Sequence, residues 1–164
     1  MVFSKNTVNA TVRGEQTHGL VYTEGAEANP LQLIVKDNAM DLTVAAGQTY
    51  TRWFVVETKM LQGGSRLRFE GNALRIADEL ASGSPDIPAY FMDIRKMTGE
   101  SAVELVSNTV GPPPGAAAPS FTDIFYFSGG DFENSRITSD ANVFTLAVPP
   151  PFVNSTLATK SEST

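Results

Sequence analysis

The pattern that most narrows the fold of this chain is alternation. Apolar and polar residues change places at every second position between breaks rich in glycine, proline and asparagine, and a sustained 3.6-residue period is almost missing. A period of two sends successive side chains to opposite faces of a strand, so the pattern predicts an all-β domain. The strand segments read as Thr7–Val12, His18–Thr23, Leu31–Lys36, Asp41–Ala45, Thr49–Thr58, Arg66–Glu70, Ala73–Ala77, Ala89–Met97, Ser101–Val110, Phe121–Phe127, Glu133–Thr138 and Asn142–Val148. Thr49–Thr58 carries large apolar groups on both faces and is expected to be central.

Two breaks look like hairpin turns. Gly71-Asn72 is a two-residue connection with a glycine able to take positive φ, which pairs Phe69 with Leu74 and Leu67 with Ile76 and sets Arg68 opposite Arg75. The competing reading makes Asn72 the N-cap of a short helix. Thr98-Gly99-Glu100 is expected to join a second hairpin, Ala89–Met97 with Ser101–Val110. The stretch 111–119 contains four prolines, cannot be a ladder strand, and is expected to be an extended surface loop.

Only 45 residues follow that loop, too few to sustain a core of their own without metal or disulfide, so 1–164 reads as a single domain. Residues 1–16 are an N-terminal arm or first strand, and 149–164, opening on Pro149-Pro150-Pro151, a polar C-terminal tail. No internal repeat is evident. Many short strands with tight turns describe a β-sandwich or jelly-roll barrel with extended terminal arms and a Pro-rich surface loop.

Several chemistries are disfavoured. The chain has no cysteine and one histidine, His18, which excludes thiolate chemistry and a structural zinc site. His18 has no Gly-x-Ser-x-Gly serine to serve as base for. The acids inside strands, Glu57, Asp93 and Glu104, read as solvent-face residues. Gly63-Gly64-Ser65 and Gly129-Gly130-Asp131 precede strand-like sequence, so neither is a phosphate cradle. No cofactor is expected; Asp37-Asn38-Ala39-Met40-Asp41 with Asp131, Asp140 and Asn142 supplies hard oxygen ligands for a structural calcium ion, although the same residues serve turns.

Charge and aromatic placement point to contact instead. Five of fifteen aromatics fall between Phe121 and Phe132, and alternation sends Phe121, Phe125 and Phe127 to one face. Arg66, Arg68 and Arg75 gather near one turn, where they need carboxylates from this chain or a neighbouring subunit. With Phe152 in the tail, these residues form the candidate subunit interface. The net charge of -6, and an arm to Gln16 carrying only Lys5 and Arg13 against Glu15, oppose nucleic-acid binding. No segment approaches the ~20 apolar residues of a transmembrane helix, and no signal peptide is recognisable.

The expected function is a non-enzymatic structural subunit of a symmetric assembly, of the kind found as capsid- or shell-associated β-barrel proteins of viruses and phages. Its partners would be itself or another shell protein. It would be made in the cytoplasm and reside in a virion or other extracellular assembly. A carbohydrate-binding β-sandwich module, stacking sugars on Trp53, Tyr50, Tyr90 or Tyr126, is the alternative.

Overall fold

The structure, a computed structural model, describes residues 1–12, 16–17, 21–23, 30–45, 52–78, 89–118, 123–147 and 156–158. The elements are all strands. The first circuit holds β1 (Val2–Ser4), β2 (Thr7–Val12), β3 (Gln16–Thr17) and β4 (Val21–Thr23). The next two hold β5 (Gln32–Lys36), β6 (Ala39–Val44) and β7 (Arg52–Leu61), then β8 (Arg66–Glu70), β9 (Ala73–Asp78) and β10 (Ala89–Met97). After these come β11 (Ala102–Val106), β12 (Thr109–Gly111) and β13 (Asp123–Phe132), then β14 (Arg136–Asp140), β15 (Val143–Phe144) and β16 (Thr156–Ala158).

Three sheets result. The first runs β1-β5-β8-β11-β14-β16, the second β15-β12-β9-β6-β2, and the third β13-β10-β7-β3 with β4 also on β7. Among the described strands, every pairing is parallel except that of β14 with β16. The chain therefore visits three sheets in turn and lays each circuit on the one before. This is a three-sided parallel β-solenoid, in which each repeat is buried by its neighbours.

The all-β expectation holds, and the strand positions lie close to those read from the alternation; β2, β8 and β10 have the expected bounds. The pairing differs. Gly71-Asn72 is no hairpin turn, because β8 pairs with β5 and β11 while β9 pairs with β6 and β12. Nor does Asn72 start a helix. Around Gly99 the neighbours are likewise one circuit away, and the segment expected to be one strand over Ser101–Val110 turns a corner at Ser107-Asn108. The sheets are parallel and do not close into a barrel, so the antiparallel jelly-roll arrangement is not what these strands form. The segment 1–16, expected as an arm or first strand, supplies β1 and β2 of the first circuit, and Gly111 ends β12, so the Pro-rich loop begins at Pro112.

An internal repeat is present after all, and it is marked by asparagine. Asn6, Asn38, Asn72, Asn108 and Asn142 occupy the corner between the first and second sheets, at separations of 32, 34, 36 and 34 residues. Each is preceded by a residue at positive φ: Lys5 (58°), Asp37 (54°), Gly71 (62°), Ser107 (53°) and Ala141 (52°). One left-handed residue turns the chain sharply, and the asparagine then fills the corner. Its backbone N–H and Nδ2 both donate to the Oδ1 of the next asparagine; Asn72 reaches Asn108 at 3.1 and 2.9 Å. The Nδ2 of Asn38, Asn72, Asn108 and Asn142 also donates backwards, to the carbonyls of Phe3, Val35, Phe69 and Leu105. Four of the five are buried, so these bonds satisfy backbone groups that the corner removes from the ladders.

The opposite end of the first sheet uses another stacked turn. Ser65, Ser101 and Ser135 are buried there, and their hydroxyls donate to the carbonyls of Gln62, Thr98 and Glu133 at 2.6, 2.7 and 2.9 Å. Gly99 has φ of 66°, and a Cβ on it would stand 2.9 Å from the Gly63 nitrogen, so the close stacking of these turns requires glycine.

The core is a set of columns. Leu33, Leu67, Val103 and Ile137 lie in register across the first sheet, and Met40, Leu74 and Val110 across the second. All are buried. Phe91 of the third sheet meets Phe69 of the first and Phe144 of the second edge-to-face, at centroid distances of 6.3 and 5.9 Å, so one aromatic cluster ties the three walls together.

Candidate functional site

The outer face of the first sheet carries most of the chemistry. Alternation puts Leu67 and Phe69 inside and leaves Arg66, Arg68 and Glu70 outside. In register, the outer rows read Gln32, Arg66, Ala102, Arg136 and, one step along, Ile34, Arg68, Glu104, Thr138. Arg68 is held by two carboxylates: its Nε donates to Glu70 at 2.9 Å and its Nη1 to Glu104. The Glu70 carboxyl is accordingly held below its ordinary range by the hydrogen bond and charge of Arg68.

The arginine trio expected from sequence is thus divided. Arg75 lies on the outer face of the second sheet, where its Nε and Nη2 bind Asp41 at 2.5 and 2.7 Å. Arg68 and Arg75 are therefore not opposed, and both are neutralised within the chain. Arg66 keeps no carboxylate within ion-pair distance among the described residues. Its companion is Arg136, two strands away and so at about 10 Å, with Ala102 between them. Arg136 approaches Glu104 only at 3.8 Å. A cleft of about 280 Å³ lies here, bounded by Arg66, Arg136 and Ala102 and by Glu100, Asn134 and Ser135 of the turns.

Sequence reasoning missed this pairing because Arg66 and Arg136 become neighbours only when the repeat is known. The repeated Asn spacing was the signal that could have found it. Of the oxygen-rich residues considered for calcium, Asn38 and Asn142 belong to the corner ladder and Asp41 binds Arg75. Among the described residues, no three His, Cys, Asp or Glu side chains gather as a metal site would require.

The third sheet corrects a second expectation. Glu57 and Asp93 do not face solvent; they are 1% and 0% exposed and stand side by side in register on β7 and β10. Glu57 Oε1 lies 3.4 Å from the half-exposed Arg95 guanidinium, a partial offset to burying the charge. Phe125 and Phe127 occupy register positions beside Met92 and Ile94. Phe121, Phe152 and His18 lie outside the described residues.

The ends of the stack differ from its flanks. The large exposed hydrophobics among the described residues are Met1 (86%), Val2 (59%) and Phe3 (39%) at the first circuit and Val143 (56%) at the last. The outer edges of β1 and β2 are unpaired among the described strands, whereas at the far end the first sheet is closed by antiparallel β16. No helix of the described residues is long and apolar enough to cross a membrane. Compared with known protein families, curated proteins and solved structures, the chain matches none.

Proposed function

We propose that this chain is a non-enzymatic structural subunit that pairs with a copy of itself, the role of a capsid- or shell-associated protein of a virus or phage, with the β-solenoid taking the place of the sandwich or jelly roll expected from sequence. The supporting observation is the edge formed by β1 and β2, which has no partner among the described strands and lies beside exposed Met1, Val2 and Phe3. An unpaired edge of this kind is a template for another strand. Because β16 covers the far end of the first sheet, the two ends are unlike. The self-complementary arrangement is edge to edge about a two-fold axis, with β1 antiparallel to its copy, and such an interface closes at two subunits.

Light scattering on size-separated protein tests this. The expected result is a dimer, shifted to monomer by Val2→Lys, because a charge on the edge opposes pairing. A monomer at all accessible concentrations, or a dimer indifferent to Val2→Lys, would overturn the proposal.

A further inference from the structure

The cleft between Arg66 and Arg136 has the composition of a small-ligand site, and it spans β8, β11 and β14, with β5 between it and the β1 edge. Three features converge there. Among the described residues Arg66 has no carboxylate within ion-pair distance, whereas Arg68, Arg75, Arg95 and Arg136 each approach one. Ala102, whose side chain is a single methyl group, separates Arg66 from Arg136 in the same outward row, so the two cations flank a floor and not a third long side chain. The space over that floor is about 280 Å³, at the small end for ligand pockets.

The lining also limits what would bind. Two guanidinium groups favour a planar carboxylate, which each can hold with paired N–H donors. Glu100 also lines the cleft; its negative charge opposes a bare anion, while its carboxylate can accept hydrogen bonds from hydroxyl groups. The Asn134 amide can donate or accept. Cations on one side and acceptors on the other suit a ligand with an acid group at one end and hydroxyls at the other. We infer that this cleft binds a compact hydroxylated carboxylate, of the size of one sugar acid or hydroxy acid. Acetate would satisfy only the arginines, and a neutral sugar only the rim.

Titration of the full chain, followed by amide NMR shifts, tests the inference with glucuronate, tartrate, acetate and glucose as probes. Saturable shifts at Ala102 and Ser135 are expected with glucuronate or tartrate, and the stronger of these two identifies ring or open chain. Arg66→Gln and Arg136→Gln should each weaken binding roughly tenfold, the value of one charge-assisted contact. Ala102→Leu should block binding by raising the floor while leaving both charges in place. Circular dichroism confirms that each variant is folded. Absence of saturation by either hydroxylated acid, equal binding of acetate and glucuronate, or folded arginine variants that bind like the parent would overturn the assignment.

Discussion

Replacing Asn108 by alanine probes the feature on which the circuit geometry depends. The Asn108 side chain accepts from the backbone N–H and Nδ2 of Asn72, at 3.1 and 2.9 Å, and donates to the Phe69 carbonyl and to Asn142 Oδ1, at 3.0 and 2.9 Å. Asn72 Nδ2 would keep the Val35 carbonyl at 2.8 Å, and Asn142 Oδ1 would keep the Asn108 N–H at 2.8 Å. The Asn72 N–H would be left buried with no acceptor, a cost of about 1–3 kcal/mol, and loss of the other contacts adds about 1 kcal/mol each at most. A total near 3 kcal/mol is expected. Asn6→Ala is the matched control, because Asn6 is exposed and no earlier asparagine donates to it; its cost should stay below about 1 kcal/mol. Urea unfolding followed by far-ultraviolet circular dichroism measures both. Circuits of a solenoid can separate in stability, so a lower slope of the Asn108→Ala transition would show the end circuits melting first. Equal destabilisation by the two substitutions would refute the reasoning.

Gly99→Ala should lower stability by about 2 kcal/mol or more in thermal melts, since its Cβ would press on the Gly63 backbone at 2.9 Å as well as adopt positive φ; Gly64→Ala, with nothing within 4 Å of its Cβ, should cost only the conformational strain of about 1 kcal/mol. The Glu70 carboxyl, held low by Arg68, should titrate below a free glutamate by carbon-detected NMR, and Arg68→Gln should move it back up. The sign follows: a lowered folded-state value means that the Arg68 contact supports the fold above the ordinary carboxylate range and is lost as pH falls through the lowered value. An unchanged Glu70 midpoint in Arg68→Gln would disprove that assignment.

Strands were legible in this sequence because alternation is a local property: Arg66–Glu70 and Ala89–Met97 declare their two faces without reference to anything else. Partners were not, because each strand pairs some 34 residues away and nothing within the strand names its neighbour. Gly71-Asn72 shows the ambiguity. A glycine at positive φ followed by asparagine serves a tight hairpin and a solenoid corner equally well, and only the recurrence of asparagine at 38, 108 and 142 separates the two. The preceding residue concealed the recurrence, since Lys5, Asp37, Ser107 and Ala141 share no chemistry with Gly71. A hairpin at Gly71 would set Arg68 opposite Arg75, and the corner sends them to different sheets. Arg66 stands out in the sequence as one of three clustered cations, but Arg136 is out of reach of any local pattern. Glu57 and Asp93 misled for a different reason: alternation assigns a face, and a face is not the same as exposure.

The short segment Thr156–Ala158 has an importance out of proportion to its length. A pile of in-register parallel ribs, spaced as they are in cross-β fibres, would otherwise present a bare template on which like chains could nucleate and elongate. By running the opposite way along Arg136–Thr138, these three residues cover that edge of the first sheet, so that loss of this strand would open the edge to pairing with another chain.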